Sequence, residues 1–212
     1  MYSVFLAALA ATVAAQLAPG PNFLAVTGVA LSQSRKAAVC LAAGIASGVL
    51  LWVSAFALGI SALFQAYPLA GILLQLCGGL YFLYIGIKAI RSSRHMSAGQ
   101  VRQFSTPLSS SGAWRRGLLV VLTNPKAALM WAAVTAFLSG SGLPPEGVLA
   151  FAPVGAGSAF VIYGSYGVLF STPVAIRAYN RVASQIELVF GGLFGLLGIR
   201  FLADGIGQLR QI

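Results

Sequence analysis

Long apolar runs alternate with short polar breaks along this chain, and the runs exceed what the core of a soluble domain uses. Six apolar segments can be drawn, at about 3–31, 37–64, 69–90, 117–139, 148–172 and 185–207. A bilayer-crossing helix needs roughly 20 predominantly apolar residues, so each run is long enough. The breaks carry turn chemistry: "SQSRK" (32–36) is polar and basic, "QAYP" (65–68) is a short turn, and "SGSGLPPEG" (139–147) is rich in glycine and proline. The longest connection, 91–116, is polar and serine-rich and separates two halves of three segments each. The pattern predicts an all-α integral membrane protein of about six transmembrane helices. It forms a single domain over 1–212, with a first three-helix repeat at 3–90, a linker at 91–116 and a second repeat at 117–207.

Two segments are interrupted where a plain anchor would not be. The first carries Pro19, Gly20, Pro21 and Asn22, and the fourth carries Asn124, Pro125 and Lys126. Each proline removes a backbone donor and disfavours helix for the residue before it. In hydrocarbon, the freed backbone groups need a polar answer. Pro125 lies 106 residues after Pro19, half the chain length. An odd number of segments per half makes the halves enter the membrane from opposite sides, which is the outline of two inverted repeats. At 1.5 Å per residue from Arg35 and Arg116, both breaks fall roughly 15–20 Å deep, near the midplane. Each then starts a half-helix whose exposed N–H groups and positive dipole end suit a carboxylate.

Charge adds the orientation. Only 8% of the residues are charged and 58% are hydrophobic, so a soluble class is excluded. No Lys or Arg occurs in the first 34 residues, so the positive region of a secretory signal is missing. Ten of the thirteen Lys and Arg lie in or beside the 1–2, 3–4 and 5–6 connections, and none lies in 65–68 or 139–147. The positive-inside rule puts the 91–116 loop in the cytoplasm and the C-terminus outside. The N-terminus starts outside if segment 3–31 crosses fully, and inside if its break makes it re-entrant. The net charge of +10 follows from this asymmetry and from attraction to anionic lipids. Nucleic-acid binding would need a folded basic domain, and none is visible.

Lys126 is the costliest residue in this plan. A lysine near the midplane costs about 2.5–3.5 kcal/mol, so it either faces a cavity or partner or snorkels to the interface. Asn22 and Asn124 can cap freed backbone groups, face a substrate, or do both.

At these residues the chain resembles the LysE/RhtB family of amino-acid exporters. The resemblance rests on "APGPNFLAVTGVALSQSRKAAVCLAAGIASGVLLW", "LYIGIKAIRS", "RRGLLVVLTNPKAALMW" and "GGLFGLLGIRFLADG", and covers nearly the whole chain. It implies a bacterial inner-membrane efflux protein of about six segments that exports an amino acid or related metabolite, in exchange for protons. The family often places an acid after the second glycine of a Gly-x-x-x-Gly motif in segment 2, where this chain has Val49. The family's Pro-Gln-Phe after segment 4 is replaced by "TAFLSG".

The other residues have bland and functional readings side by side. Tyr163 and Tyr166 put two phenols mid-segment, to line a substrate path or to bond a neighbouring helix. With only three acids in the chain, Glu187 is the proton-coupling candidate, against pairing with Arg181 or a lipid headgroup. Gly44/Gly48 and Gly191/Gly195 have the spacing of close helix packing. No His, Cys or acid cluster has metal-ligand spacing, and no cofactor is implied. Cys40 and Cys77 lack an activating setting for a thiol–disulfide carrier. No catalytic constellation points to an enzyme. A passive channel could also use converging half-helix ends. The partners this reading implies are a small-molecule substrate and anionic lipid, with a homodimer left open.

Overall fold

The computed structural model describes residues 2–93 and 107–210. Among them the elements are α1 (Tyr2–Leu17), α2 (Pro21–Ser32), α3 (Arg35–Ala66), α4 (Pro68–Ser93), α5 (Ser110–Leu122), α6 (Pro125–Gly140), α7 (Pro145–Leu149), α8 (Phe151–Leu169) and α9 (Pro173–Leu209). Proline opens α2, α4, α6, α7 and α9. There its fixed φ suits the helix, and its missing N–H would have had no intrahelical partner. Asn124 caps α6 by accepting from Lys126 N, and Ser109 caps α5 by accepting from Gly112 N.

The runs Arg35–Gly59, Pro145–Leu169 and Ser184–Leu209 are each long and apolar enough to cross a membrane. The pairs α1–α2 and α5–α6, bent by 50° and 65° at their breaks, raise the count of such spans to five. Leu51, Leu58, Leu188 and Leu196 stay exposed on this assembly, as lipid-facing side chains do. This is a multi-pass membrane protein. α4, 26 residues long, lies along α9 and forms its largest helix-to-helix contact.

Glycine brings the helices together. A Cβ at Gly44 would overlap the Trp114 carbonyl oxygen, and one at Gly117 would overlap the Leu41 carbonyl oxygen, so the α3 and α5 backbones touch. A Cβ at Gly48 would overlap Val121. On the other side of the molecule, a Cβ at Gly191 would lie 2.6 Å from Ile90 Cγ1 and 2.9 Å from Gly86 O. Gly195 differs from the packing expectation. Its own Cβ direction is open, and its backbone is what Gly86 of α4 approaches.

Three hydrogen bonds draw the basic connections to one end of the molecule. Arg35 Nε donates to Ser171 Oγ (2.7 Å), Leu108 N to Gln33 Oε1 (2.9 Å), and Ser184 Oγ to the Ser93 carbonyl (2.7 Å). Some boundaries differ from the hydropathy reading. α9 begins at Pro173 rather than near 185, because "NRVASQ" is polar but contains no helix breaker. Residues 110–116, read as linker, form the first turns of α5, while 94–106 lie outside the described residues.

Candidate functional site

The two breaks meet. Asn124 Nδ2 donates to Asn22 Oδ1 (3.1 Å), and Asn22 Nδ2 donates onward to the Tyr163 hydroxyl (3.4 Å). Both asparagines and Tyr163 are buried. Lys126 Nζ donates to the Pro19 carbonyl (3.3 Å) and sits 5.6 Å from the centre of the Phe194 ring. A Cβ on Gly20 would come to 3.4 Å of that ammonium, an ordinary contact, so the Gly20 backbone lies directly against the lysine. The break in one half is therefore tied to the break in the other through carboxamides, a phenol and an ammonium.

Pro21 and Pro125 each leave one carbonyl without its helical donor, and each of these two carbonyls is answered from the opposite half. Pro21 cannot donate to Leu17 O, and the Tyr166 hydroxyl of α8 does so instead (3.0 Å). Pro125 cannot donate to Val121 O, and Trp52 Nε1 of α3 does so (3.2 Å). Asn124 N also reaches Val121 O, at 3.4 Å.

These groups surround a cavity of about 20 Å³, lined by Gln16, Gly20, Asn22, Asn124, Lys126 and Tyr163 on its polar side. Val49, Met130 and Trp131 line its apolar side. Such a space holds about one water molecule. It is far too small for an amino acid.

The LysE-type translocator family model matches residues 13–205. The chain belongs to that family. A threonine efflux protein of Escherichia coli is 30% identical to this chain over 206 residues, covering 95% of this chain and 98% of the relative. The threonine efflux protein of Salmonella typhi is 28% identical with the same coverage. A membrane protein of Haemophilus influenzae is 27% identical over 91% of this chain and 93% of its own length. No solved structure matches.

Of the residues singled out in the sequence, Gly20, Pro21, Asn22, Asn124, Lys126 and Tyr163 line the cavity, and Pro19 reaches Lys126 through its carbonyl. Tyr166 stands just beside it, occupied with Leu17. Pro125 acts here through its backbone, as the first residue of α6. The Glu187 side chain lies outside the described residues. Gly44, Gly48 and Gly191 are away from the cavity, at helix crossings. Sequence reasoning missed Gln16, which lies three residues before Pro19 and lines the cavity, and it missed the part of Trp52. A glutamine inside an apolar run was the available signal. Val49, at the position where the resemblance implies an acid, is buried in the cavity wall.

Proposed function

We propose that this protein is a secondary exporter of the inner membrane that carries an amino acid or related carboxylate metabolite out of the cytoplasm. The observation that carries the reading is the junction of the two breaks, with Lys126 and two half-helix starts at one small cavity. The threonine efflux activity named for relatives that align end to end supports the same direction and substrate class.

Half-helix N-termini carry partial positive charge, and Lys126 adds a full one where the dielectric is low. A substrate carboxylate can replace the Pro19 carbonyl as acceptor from Lys126, exchanging an ammonium–carbonyl hydrogen bond for an ion pair between full charges. Because the cavity has room for about one water, loading requires the broken helices to separate. Alternating access is a movement of this kind, one half rocking against the other around the site. We take the end bearing Arg35, Arg91, Arg116 and Arg177 as cytoplasmic. A bend of 50° keeps α1–α2 crossing in one direction, which favours an external N-terminus and, with α4 as the sixth span, an external C-terminus. Two inverted repeats fit the reciprocal donors Tyr166 and Trp52. Exchange against protons completes the proposal, with Glu187 as the carrier.

Lys126→Met is the deciding variant, tested by accumulation of labelled threonine in inverted vesicles under an imposed proton gradient. Uptake should fall at least about tenfold at normal abundance, the size of a lost charge-assisted bond. Wild-type uptake by this variant would remove the central site. Accumulation that never exceeds equilibrium in the wild type would replace the exporter with a channel.

A further inference from the structure

Among the described residues two buried hydroxyls have no hydrogen-bond partner, Thr12 Oγ1 and Ser139 Oγ, and Thr12 also departs from the habit of three other threonines. Thr27, Thr123 and Thr135 each donate to the carbonyl four residues back, at 2.7–2.8 Å. Thr12 of α1 is fully buried and its hydroxyl has no hydrogen-bond partner. A buried hydroxyl without a partner costs about 1–3 kcal/mol, so it calls for an occupant.

Its surroundings indicate which kind. Gln16 lies one turn further along the same face of α1 and is also buried. Its Nε2 donates to Gly155 O of α8 (3.2 Å), and its Oε1 accepts from Ser158 Oγ (3.0 Å). Gln16 also lines the central cavity, so its carboxamide bridges that cavity to the α1–α8 seam. Thr12 is seven residues from Pro19, roughly 10 Å along the axis, on the side of the break away from Arg35. With the basic end cytoplasmic, that is the outward side.

We propose that Thr12, Gln16 and Ser158 form a second, neutral polar station that receives the substrate after it leaves Lys126, on the way out. The assignment rests on the export reading above. A station of hydroxyls and one carboxamide hydrogen-bonds a small polar solute without holding it by charge. Binding there is weaker than at the ammonium, and weak outer binding favours release to water.

Thr12→Val keeps the shape of the side chain and removes the hydroxyl. The maximal export rate of labelled threonine from cells should fall about fivefold, the value of one hydrogen bond, with the half-saturating concentration little changed. Abundance should hold or rise, because a partnerless buried hydroxyl has been removed. Thr12→Ser should restore the rate. In a background with Cys40→Ala and Cys77→Ala, Thr12→Cys should react with a membrane-impermeant thiol reagent added outside, and threonine should slow that reaction. Wild-type export by Thr12→Val overturns the station, as does a Thr12→Cys thiol that external reagent never reaches. Lower abundance in Thr12→Val, restored in Thr12→Ser, overturns it in favour of a purely structural hydroxyl. If Lys126→Met abolishes export while Thr12→Val is unaffected, the outer station fails and the central site stands. If neither variant changes export, both readings fail.

Discussion

Asn124 donates its side-chain amide to the side-chain carbonyl of Asn22 across 3.1 Å, although 102 residues separate them. The bond joins the two interruptions directly, so a shift of either broken segment is felt by the other. Asn124 also caps α6, whereas the start of α2 has no side-chain cap. Asn124→Ala should therefore destabilise more than Asn22→Ala, by about 1 kcal/mol for the lost cap. The double variant should be less damaged than the sum, with a coupling on the order of 1 kcal/mol. Thermal unfolding of the detergent-solubilised protein measures all three, and strict additivity would show that the two breaks act independently.

The donors supplied by Tyr166 and Trp52 give a second cycle. Tyr166→Phe leaves the Leu17 carbonyl without a donor and should cost about 1–3 kcal/mol. Pro21→Ala restores a backbone N–H that can serve the same carbonyl. Tyr166→Phe should then cost clearly less in the Pro21→Ala background. An equal loss in both backgrounds would mean that the phenol matters for something other than Leu17.

Glycines should sort by what their missing side chains would meet. Gly44→Leu and Gly191→Leu drive carbon into backbone of α5 and α4 and should lower the amount of folded protein several-fold. Gly195→Ala meets open space and should accumulate normally. Quantitative immunoblots of membrane fractions decide the point, and normal accumulation of Gly44→Leu would contradict the observed α3–α5 approach.

Orientation is checked by single cysteines in a cysteine-free background. Ser3→Cys should react with an impermeant thiol reagent on intact cells, while Ser109→Cys should react only after permeabilisation. Strong labelling of Ser109→Cys on intact cells would invert the whole molecule.

The proposed proton coupling rests on the scarcity of acids rather than on contact geometry. Glu187→Gln should abolish accumulation driven by an imposed proton gradient while leaving downhill exchange of labelled for unlabelled threonine intact. Undiminished uphill transport by Glu187→Gln would take this carboxylate out of the mechanism.

Much of the candidate site was legible because its chemistry is local. Pro19, Pro21 and Pro125 announce their breaks, and the cost of Lys126 in hydrocarbon demands a partner wherever it sits. The basic residues likewise mark one end. What stayed hidden depends on the third dimension. Nothing in the spacing of Trp52 says that its indole meets Val121 O, 69 residues away. Gln16 and Thr12 belong to no motif, and their importance comes from which face of α1 is turned inward. Helix ends were misjudged where hydropathy and helicity part company, as in 173–184, since polar residues leave the bilayer without unwinding the backbone.

The exchanged donors have a consequence for the two halves as separate objects. Each half owns a carbonyl that its partner satisfies, through Tyr166 in one direction and Trp52 in the other. Neither half is thus a finished folding unit. Fragments 1–99 and 100–212 should be degraded when made singly and persist when made together in one membrane. Survival of either fragment alone would deny this mutual dependence. Either half made alone would therefore need the other beside it in the membrane before it could last.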